Sequence, residues 1–141
     1  MEINLFFIRN GICIHIIVYP LEATRFYKPH NLNMPHRKRW GIIGPGKIAR
    51  KFAHDLRFSK SGYLYATASL NPSRLEKFQQ DYPADQRYDR YEDLLSDPMV
   101  DIVYIATPHS HHYPWILKCL DHGKHVLCEK PLCINANQVR A

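Results

Sequence analysis

Trp40-Gly41-Ile42-Ile43-Gly44-Pro45-Gly46-Lys47-Ile48-Ala49 is the stretch on which the fold turns. A short apolar run, Trp40–Gly44, ends in glycine. The segment after it, Lys47–Phe58, places Ile48, Phe52 and Leu56 at helical spacing with charged residues between them. The junction reads G-x-G-x-x-A, which fits the glycine loop of dinucleotide-binding folds. In that loop the first glycine allows a tight turn after a strand. The second lets backbone approach a pyrophosphate, and a small third residue lets helix and strand pack closely. Phosphates then meet unpaired N–H groups at the helix N-terminus. A bare match is weak. Here it follows an apolar strand, opens an amphipathic helix and leads into a second strand, and that context makes Gly44, Pro45, Gly46, Lys47 and Ile48 candidate cofactor-binding residues.

Working outward, Tyr63–Leu70 is β-rich, and Asn71-Pro72-Ser73 opens a helix that runs to about Asp81, with proline in its first turn. A short strand at Arg87–Asp89 and a helical turn or two at Tyr91–Ser96 follow. Val100–Thr107 is almost continuously apolar, as a parallel strand buried on both faces is. Pro108–His112 reads as a loop, Tyr113–Leu120 as a helix closed by Gly123, His125–Cys128 as another buried strand, and Asn135–Ala141 as the start of one more helix. Strands alternating with helices imply βαβ units. The fold class is α/β, a doubly wound parallel sheet of the NAD(P)-binding Rossmann type in the order 3-2-1-4-5, expected to be incomplete at its C-terminal end.

With 141 residues the chain has room for one ordinary domain. The pattern divides it into residues 1–38, an N-terminal extension and linker expected to be poorly ordered, and residues 39–141, the Rossmann domain. Residues 22–38 contain Pro29 and Pro35 and no apolar period. Met34 is expected to be the natural start, or residues 1–33 to pack poorly.

Composition excludes several classes. Hydrophobic residues make up 45% and charged residues 23%, the balance of a globular protein and not of a disordered one. The net charge of +6 is spread along the chain: residues 1–38 carry five basic and two acidic side chains, residues 39–141 fourteen and eleven. That argues against a nucleic-acid partner, for which charge concentrates on one face. The apolar stretch Leu5–Leu21 is broken by Arg9, Asn10, His15 and Pro20, is too short to span a bilayer and lacks the pattern of a secretory signal. Of four cysteines, Cys119, Cys128 and Cys133 lie in apolar surroundings, as reduced thiols of a cytoplasmic protein do. No metal site is expected. His109, His111 and His112 precede one helix and His122 and His125 follow it, at opposite edges of the sheet, and the C-x4-C spacing of Cys128 and Cys133 matches no common metal or redox motif. Trp40 and Trp115 read as packing residues.

The end of the second strand bears on the choice of dinucleotide. An acidic residue about 20 positions after the loop would grip the ribose 2′-hydroxyl of NAD. Ser69, Leu70 and Asn71 stand there instead. A hydroxyl tolerates a 2′-phosphate and Arg74 lies close enough in sequence to pair with it, which favours NADP, with NAD as the alternative.

Gly44–Ala49, Ala106-Thr107-Pro108 with His112, and Gly123-Lys124-His125-Val126-Leu127-Cys128-Glu129-Lys130-Pro131 together resemble the glucose–fructose oxidoreductase, inositol dehydrogenase and MocA family, over about residues 38–141. The branch most similar is that of dihydrodiol and sugar dehydrogenases. The resemblance implies an N-terminal Rossmann domain followed by an α/β domain with a large open sheet, often in homo-oligomers. It also implies hydride transfer between a nicotinamide and the CH–OH carbon of a sugar, polyol or dihydrodiol. It places Lys130, the catalytic candidate, beside the nicotinamide and the reacting oxygen, and Glu129 near the nicotinamide ribose. Pro108, His109 and His112, with Thr107 ahead of them, would line the cofactor cleft, and Ser69 would touch the adenosine ribose or its phosphate. Two positions depart from the family pattern. Leu70 stands where many members carry arginine, which weighs against NADP, and His109 stands where asparagine is frequent, with a ring that would add pH dependence. The chemistry of the residues agrees with this assignment, since a lysine in a partly desolvated cleft can orient a hydroxyl oxygen or relay its proton. The family's substrate-facing Asp and His would lie beyond residue 141, so the rival expectation is a non-catalytic nucleotide-binding or interaction module.

Overall fold

The computed structural model describes residues 2–6, 15–19 and 37–132. In chain order its elements are β1 (Glu2–Phe6), β2 (His15–Tyr19), β3 (Lys38–Ile43), α1 (Lys47–Leu56), β4 (Gly62–Ala68), α2 (Pro72–Asp81), β5 (Gln86–Tyr88), α3 (Tyr91–Ser96), β6 (Ile102–Ile105), a 3-10 turn (His109–His111), α4 (His112–Asp121) and β7 (His125–Cys128). One sheet runs in the order β1-β2-β7-β6-β3-β4-β5. The strands from β7 to β5 pair in parallel, so the expected order 3-2-1-4-5 is found when strands are counted from β3.

Helices cover both faces of the parallel part. On one face Tyr91, Leu94 and Leu95 of α3 and Ile116 and Cys119 of α4 pack on Ile43, Ala66, Ala68, Val103, Ile105 and Val126. On the other, Ala49 and Ala53 of α1 and Phe78 of α2 pack on Ile42, Tyr104 and Leu127. Neighbouring residues of a strand point to opposite faces, which is why Ile42 and Ile43 belong to different cores. Local signals start and stop the helices. The Asn71 side chain accepts the Arg74 N–H at 2.9 Å and Pro72 fills the first position of α2. Gly123, at φ +68°, lets the chain turn out of α4.

Two expectations differ from what is found. Glu2–Phe6 and His15–Tyr19, inside the arm expected to be poorly ordered, are strands of the sheet: β1 pairs antiparallel with β2, and β2 pairs antiparallel with β7. The physical reason is the outer side of β7, where a bare edge would present a row of unpaired N–H and C=O groups. Ile16, Ile17 and Val18 are the β-branched residues that suit such a strand. Pro108–His112, read as a loop, contains a 3-10 turn and the first residue of α4. Most of the linker, Met34, Cys133 and the helix expected at Asn135–Ala141 lie outside the described residues. Among the described residues no helix is long and apolar enough to cross a membrane.

Candidate nucleotide site

Four loops leave the carboxyl ends of β3, β4, β6 and β7 along one edge of the sheet. The chain runs from β3 outward through β4 and β5 on one side and through β6 and β7 on the other, so the connection reverses between β3 and β6. Open α/β sheets bind ligands in the crevice at such a switch point. All the candidate site residues fall on these four loops and the helices they open.

At the β3–α1 loop, Gly44 has φ +80°, and a Cβ there would sit 2.9 Å from the Thr107 N and 3.0 Å from the Ala106 carbonyl carbon and oxygen. Gly44 is therefore glycine because the chain leaving β6 presses against it. Gly46 differs. It has extended backbone, and a Cβ on it would meet nothing nearer than the Gly44 carbonyl oxygen at 3.9 Å. No internal neighbour requires glycine at position 46, and the space over it is the approach a pyrophosphate needs. No side chain caps α1, and its first turn holds no acidic residue. The N–H groups of that turn point at the same space. Pro45 is buried, and Lys47 and Ile48 are exposed on the first turn of α1.

At the β4–α2 loop Ser69 is buried. Its N–H donates to the Tyr88 carbonyl at 3.1 Å and its Oγ accepts the Asn71 N–H at 3.2 Å, so the side chain first of all builds the turn. Its hydroxyl hydrogen keeps the capacity to donate. Leu70 and Arg74 are exposed. Tyr91, whose place in the sequence marks only the start of a helix, lies against this loop. Burial raises its phenol above the ordinary range, against the pull of Arg74 and of the Leu70 backbone.

At the β6–α4 loop Pro108 and His109 are exposed, while Thr107 and His112 are buried. The His112 ring, fully buried, lies with Nε2 2.9 Å from the Thr107 carbonyl oxygen and Nδ1 2.7 Å from the Pro131 carbonyl oxygen. It ties the loop after β6 to the loop after β7 and supports the cleft from beneath. The His109 ring meets it edge-on at 5.4 Å. The Thr107 Oγ1 is buried without a hydrogen-bond partner among the described residues. A buried hydroxyl in this state calls for a ligand or water. Beyond β7, Glu129 is nine-tenths buried and accepts a hydrogen bond from the Tyr104 hydroxyl. Lys130 is exposed, and the peptide bond joining it to Pro131 is cis.

The open cradle at Gly46, the uncapped α1 terminus and the orphaned Thr107 hydroxyl fit a dinucleotide. The Cys119 thiol is pushed up to about 12 by burial, as a packed and unreactive thiol is. No cluster of three or more His, Cys, Asp or Glu side chains able to hold a metal occurs among the described residues.

A parallel sheet with this crevice and this glycine loop is a nucleotide-binding α/β domain. The chain belongs to the oxidoreductase family with an NAD-binding Rossmann fold that unites glucose–fructose oxidoreductase, inositol dehydrogenase and MocA, matched over residues 38–141. It is 43% identical over 104 residues to the trans-1,2-dihydrobenzene-1,2-diol dehydrogenase of Mus musculus, covering 72% of this chain and 31% of that protein. It is 41% identical over 118 residues to the D-xylose 1-dehydrogenase (NADP(+)) of Hypocrea jecorina, covering 75% and 30%. Among solved structures, the 3-ketoreductase KijD10 of Actinomadura kijaniata, in complex with TDP-benzene and NADP, superposes with a TM-score of 0.69 at 33% identity, covering 74% of this chain and 33% of that one. The scyllo-inositol dehydrogenase of Lactobacillus casei with bound NAD(H) shares the fold, with a TM-score of 0.68 at 24% identity and coverage of 74% and 31%. The chain spans about a third of the length of the curated relatives it matches.

Proposed function

We propose that this chain is the cofactor-binding part of an NADP-preferring oxidoreductase that acts on the CH–OH group of a sugar, polyol or dihydrodiol in the cytoplasm. The observation that carries the reading is the convergence of the Gly46 cradle, the uncapped α1 terminus and the Thr107 hydroxyl at the switch point of the sheet. A bound nicotinamide supplies or accepts the hydride. The chain's own residues bind and orient. The α1 N–H groups and the Gly46 backbone hold the pyrophosphate. Arg74 pairs with the 2′-phosphate beside Leu70, whose exposed side chain offers an apolar face to the adenine. Thr107 donates to the cofactor from within the cleft. Lys130, one residue past Glu129, holds the substrate oxygen and takes or returns its proton as the hydride moves, so that oxidation of an alcohol releases one hydride and one proton. The relatives' names, a dihydrodiol dehydrogenase and an NADP(+)-dependent xylose dehydrogenase, support the substrate class and the cofactor preference.

A non-catalytic nucleotide-binding module is the second reading, favoured by the exposure of Lys130. Both readings expect the 141-residue chain to bind the nucleotide without steady-state turnover. Titration calorimetry with NADPH and NADH tests the cofactor. NADPH should bind more tightly, and Arg74→Ala should weaken NADPH alone by about tenfold or more, the worth of a charge-assisted hydrogen bond. Ser69→Asp should move the preference toward NADH. NADH binding at least as tightly as NADPH would overturn the assignment. Oxidation of sugars, inositols or dihydrodiols by this chain, abolished by Lys130→Ala, would remove the second reading and refute the shared expectation of no turnover.

A further inference from the structure

Tyr104 sits in the centre of β6 and is fully buried. Its ring stacks on Phe52 of α1, with centroids 4.1 Å apart and planes at 28°, and Phe52 in turn meets Trp40 at 5.1 Å. Phenylalanine would satisfy that packing as well. The hydroxyl is the part of Tyr104 that packing does not explain, and it donates to the Glu129 Oε1. Register brings the two together. Tyr104 pairs with Leu127 of β7, and Glu129, two residues on, points to the same face of the sheet. The Glu129 N–H is held by the Ile105 carbonyl at 3.1 Å, so the carboxylate is fixed from both its backbone and its side chain.

Burying a carboxylate is costly, and a buried polar pair seldom adds stability over apolar residues of the same size. A reason for this pair is therefore to be sought in the site. The segments that carry the other three loops, Gly44–Gly46, Ser69–Asn71 and Thr107–His111, contain no carboxylate. Glu129 brings that group to the cleft, one residue before Lys130 and one strand from Thr107. A ribose offers vicinal hydroxyl donors, and a carboxylate accepts hydrogen bonds through both of its oxygens.

We propose that Tyr104 is a positioning residue for the nicotinamide half of the nucleotide site, acting through Glu129: its hydroxyl holds the carboxylate at the height where the nicotinamide ribose is recognised. The inference rests on the dinucleotide reading above and deepens it, by adding a residue that acts on the site from behind Glu129.

The test compares two ligands on the wild-type chain and on Tyr104→Phe, which keeps the ring and its stacking and removes only the hydroxyl. NADPH engages both halves of the site, whereas adenosine 2′,5′-bisphosphate lacks the nicotinamide riboside and engages only the Ser69–Arg74 side. Tyr104→Phe should weaken NADPH by about fivefold or more while leaving adenosine 2′,5′-bisphosphate within about twofold. Glu129→Gln should show the same selective loss, and the double variant should be no worse than the worse single one. Equal losses on both ligands would mark the hydroxyl as merely structural and overturn the proposal, as would no loss on either. A second measurement needs no variant that might misfold. In wild-type chain labelled at glutamate carboxyl carbons, the Glu129 resonance should move on saturation with NADPH and stay in place with adenosine 2′,5′-bisphosphate. A resonance indifferent to bound NADPH overturns the proposal while leaving the nucleotide reading intact. A wild-type chain that binds neither ligand overturns both.

Discussion

Gly44 and Gly46 are two residues apart in one motif, yet the structure assigns them different duties, and alanine separates them. At Gly44 an added Cβ meets two penalties. The backbone is left-handed, at φ +80°, and the methyl would stand 2.9–3.0 Å from the backbone of Ala106 and Thr107. A left-handed residue with a Cβ costs roughly 1–2 kcal/mol, and forcing a methyl into closed packing costs roughly 1–3 kcal/mol. Gly44→Ala should therefore destabilise the domain by about 2–5 kcal/mol, a large part of the roughly 5–15 kcal/mol a domain of this size commands. At Gly46 neither penalty applies, because the nearest atom is 3.9 Å away and the backbone is extended. Exchange of glycine for alanine at a helix N-cap costs below about 1 kcal/mol. The methyl would instead occupy the approach of the pyrophosphate, so Gly46→Ala should bind NADPH at least about tenfold more weakly, a loss of about 1.4 kcal/mol. Urea melts followed by circular dichroism and titration with NADPH read the two quantities independently. The reasoning is refuted if Gly46→Ala unfolds as readily as Gly44→Ala, or if it binds NADPH like the wild type.

Two further outcomes follow from side chains behind the site. His112→Ala removes a buried ring and both links between the Thr107 and Pro131 carbonyls, and should cost about 2–4 kcal/mol in urea melts together with weaker NADPH binding; a variant as stable and as tight as the wild type would show that the bridge carries nothing. Asp101 is partly buried, which alone would raise its pKa, but the Arg39 side chain, at 3.0 Å, and the Arg39 backbone N–H, at 2.8 Å, outweigh burial and hold it below the ordinary 3.8. A carboxyl whose folded pKa is lowered stabilises the fold above its unfolded value and loses that contribution as pH falls through the folded one. The stability gap between wild type and Asp101→Asn should accordingly be full at neutral pH and narrow below 3.8, and a gap that stays constant would refute the role given to Arg39.

The parallel half of the sheet was legible because its signals are local. Apolar runs of four to six residues separated by amphipathic segments, an Asn-Pro start for α2 and a glycine after α4 each act within one turn of the chain, and β3 to β7 fall where these signals put them. The N-terminal hairpin was not legible, because its reason lies more than a hundred residues away. Residues Ile16, Ile17 and Val18 become a strand by pairing with Cys128, Leu127 and Val126, and nothing beside them in the chain announces that edge. Read alone, Leu5–Leu21 is only an interrupted apolar stretch.

The site divides along the same line. Gly44, Gly46, Thr107, Glu129 and Lys130 sit in motifs whose residue types state their chemistry, and the structure brings their loops to one edge of the sheet. The residues that hold them in place carry no such label. Tyr104 lies in the middle of an apolar strand and reads as core. Its ring is core, packed on Phe52, while its hydroxyl serves Glu129. His112 reads as a cleft residue, and its ring is a buried strut between two carbonyls. Ser69 reads as a hydroxyl that would touch the adenosine ribose or its phosphate, and it also closes the turn that leads to Arg74. Spacing along a chain can show which groups would touch a ligand, because those groups are chosen for their chemistry. It cannot show which groups support them, because a support is defined by a contact across the sheet: strand register sets that contact for Tyr104 and Glu129, and the start of a helix sets it for His112.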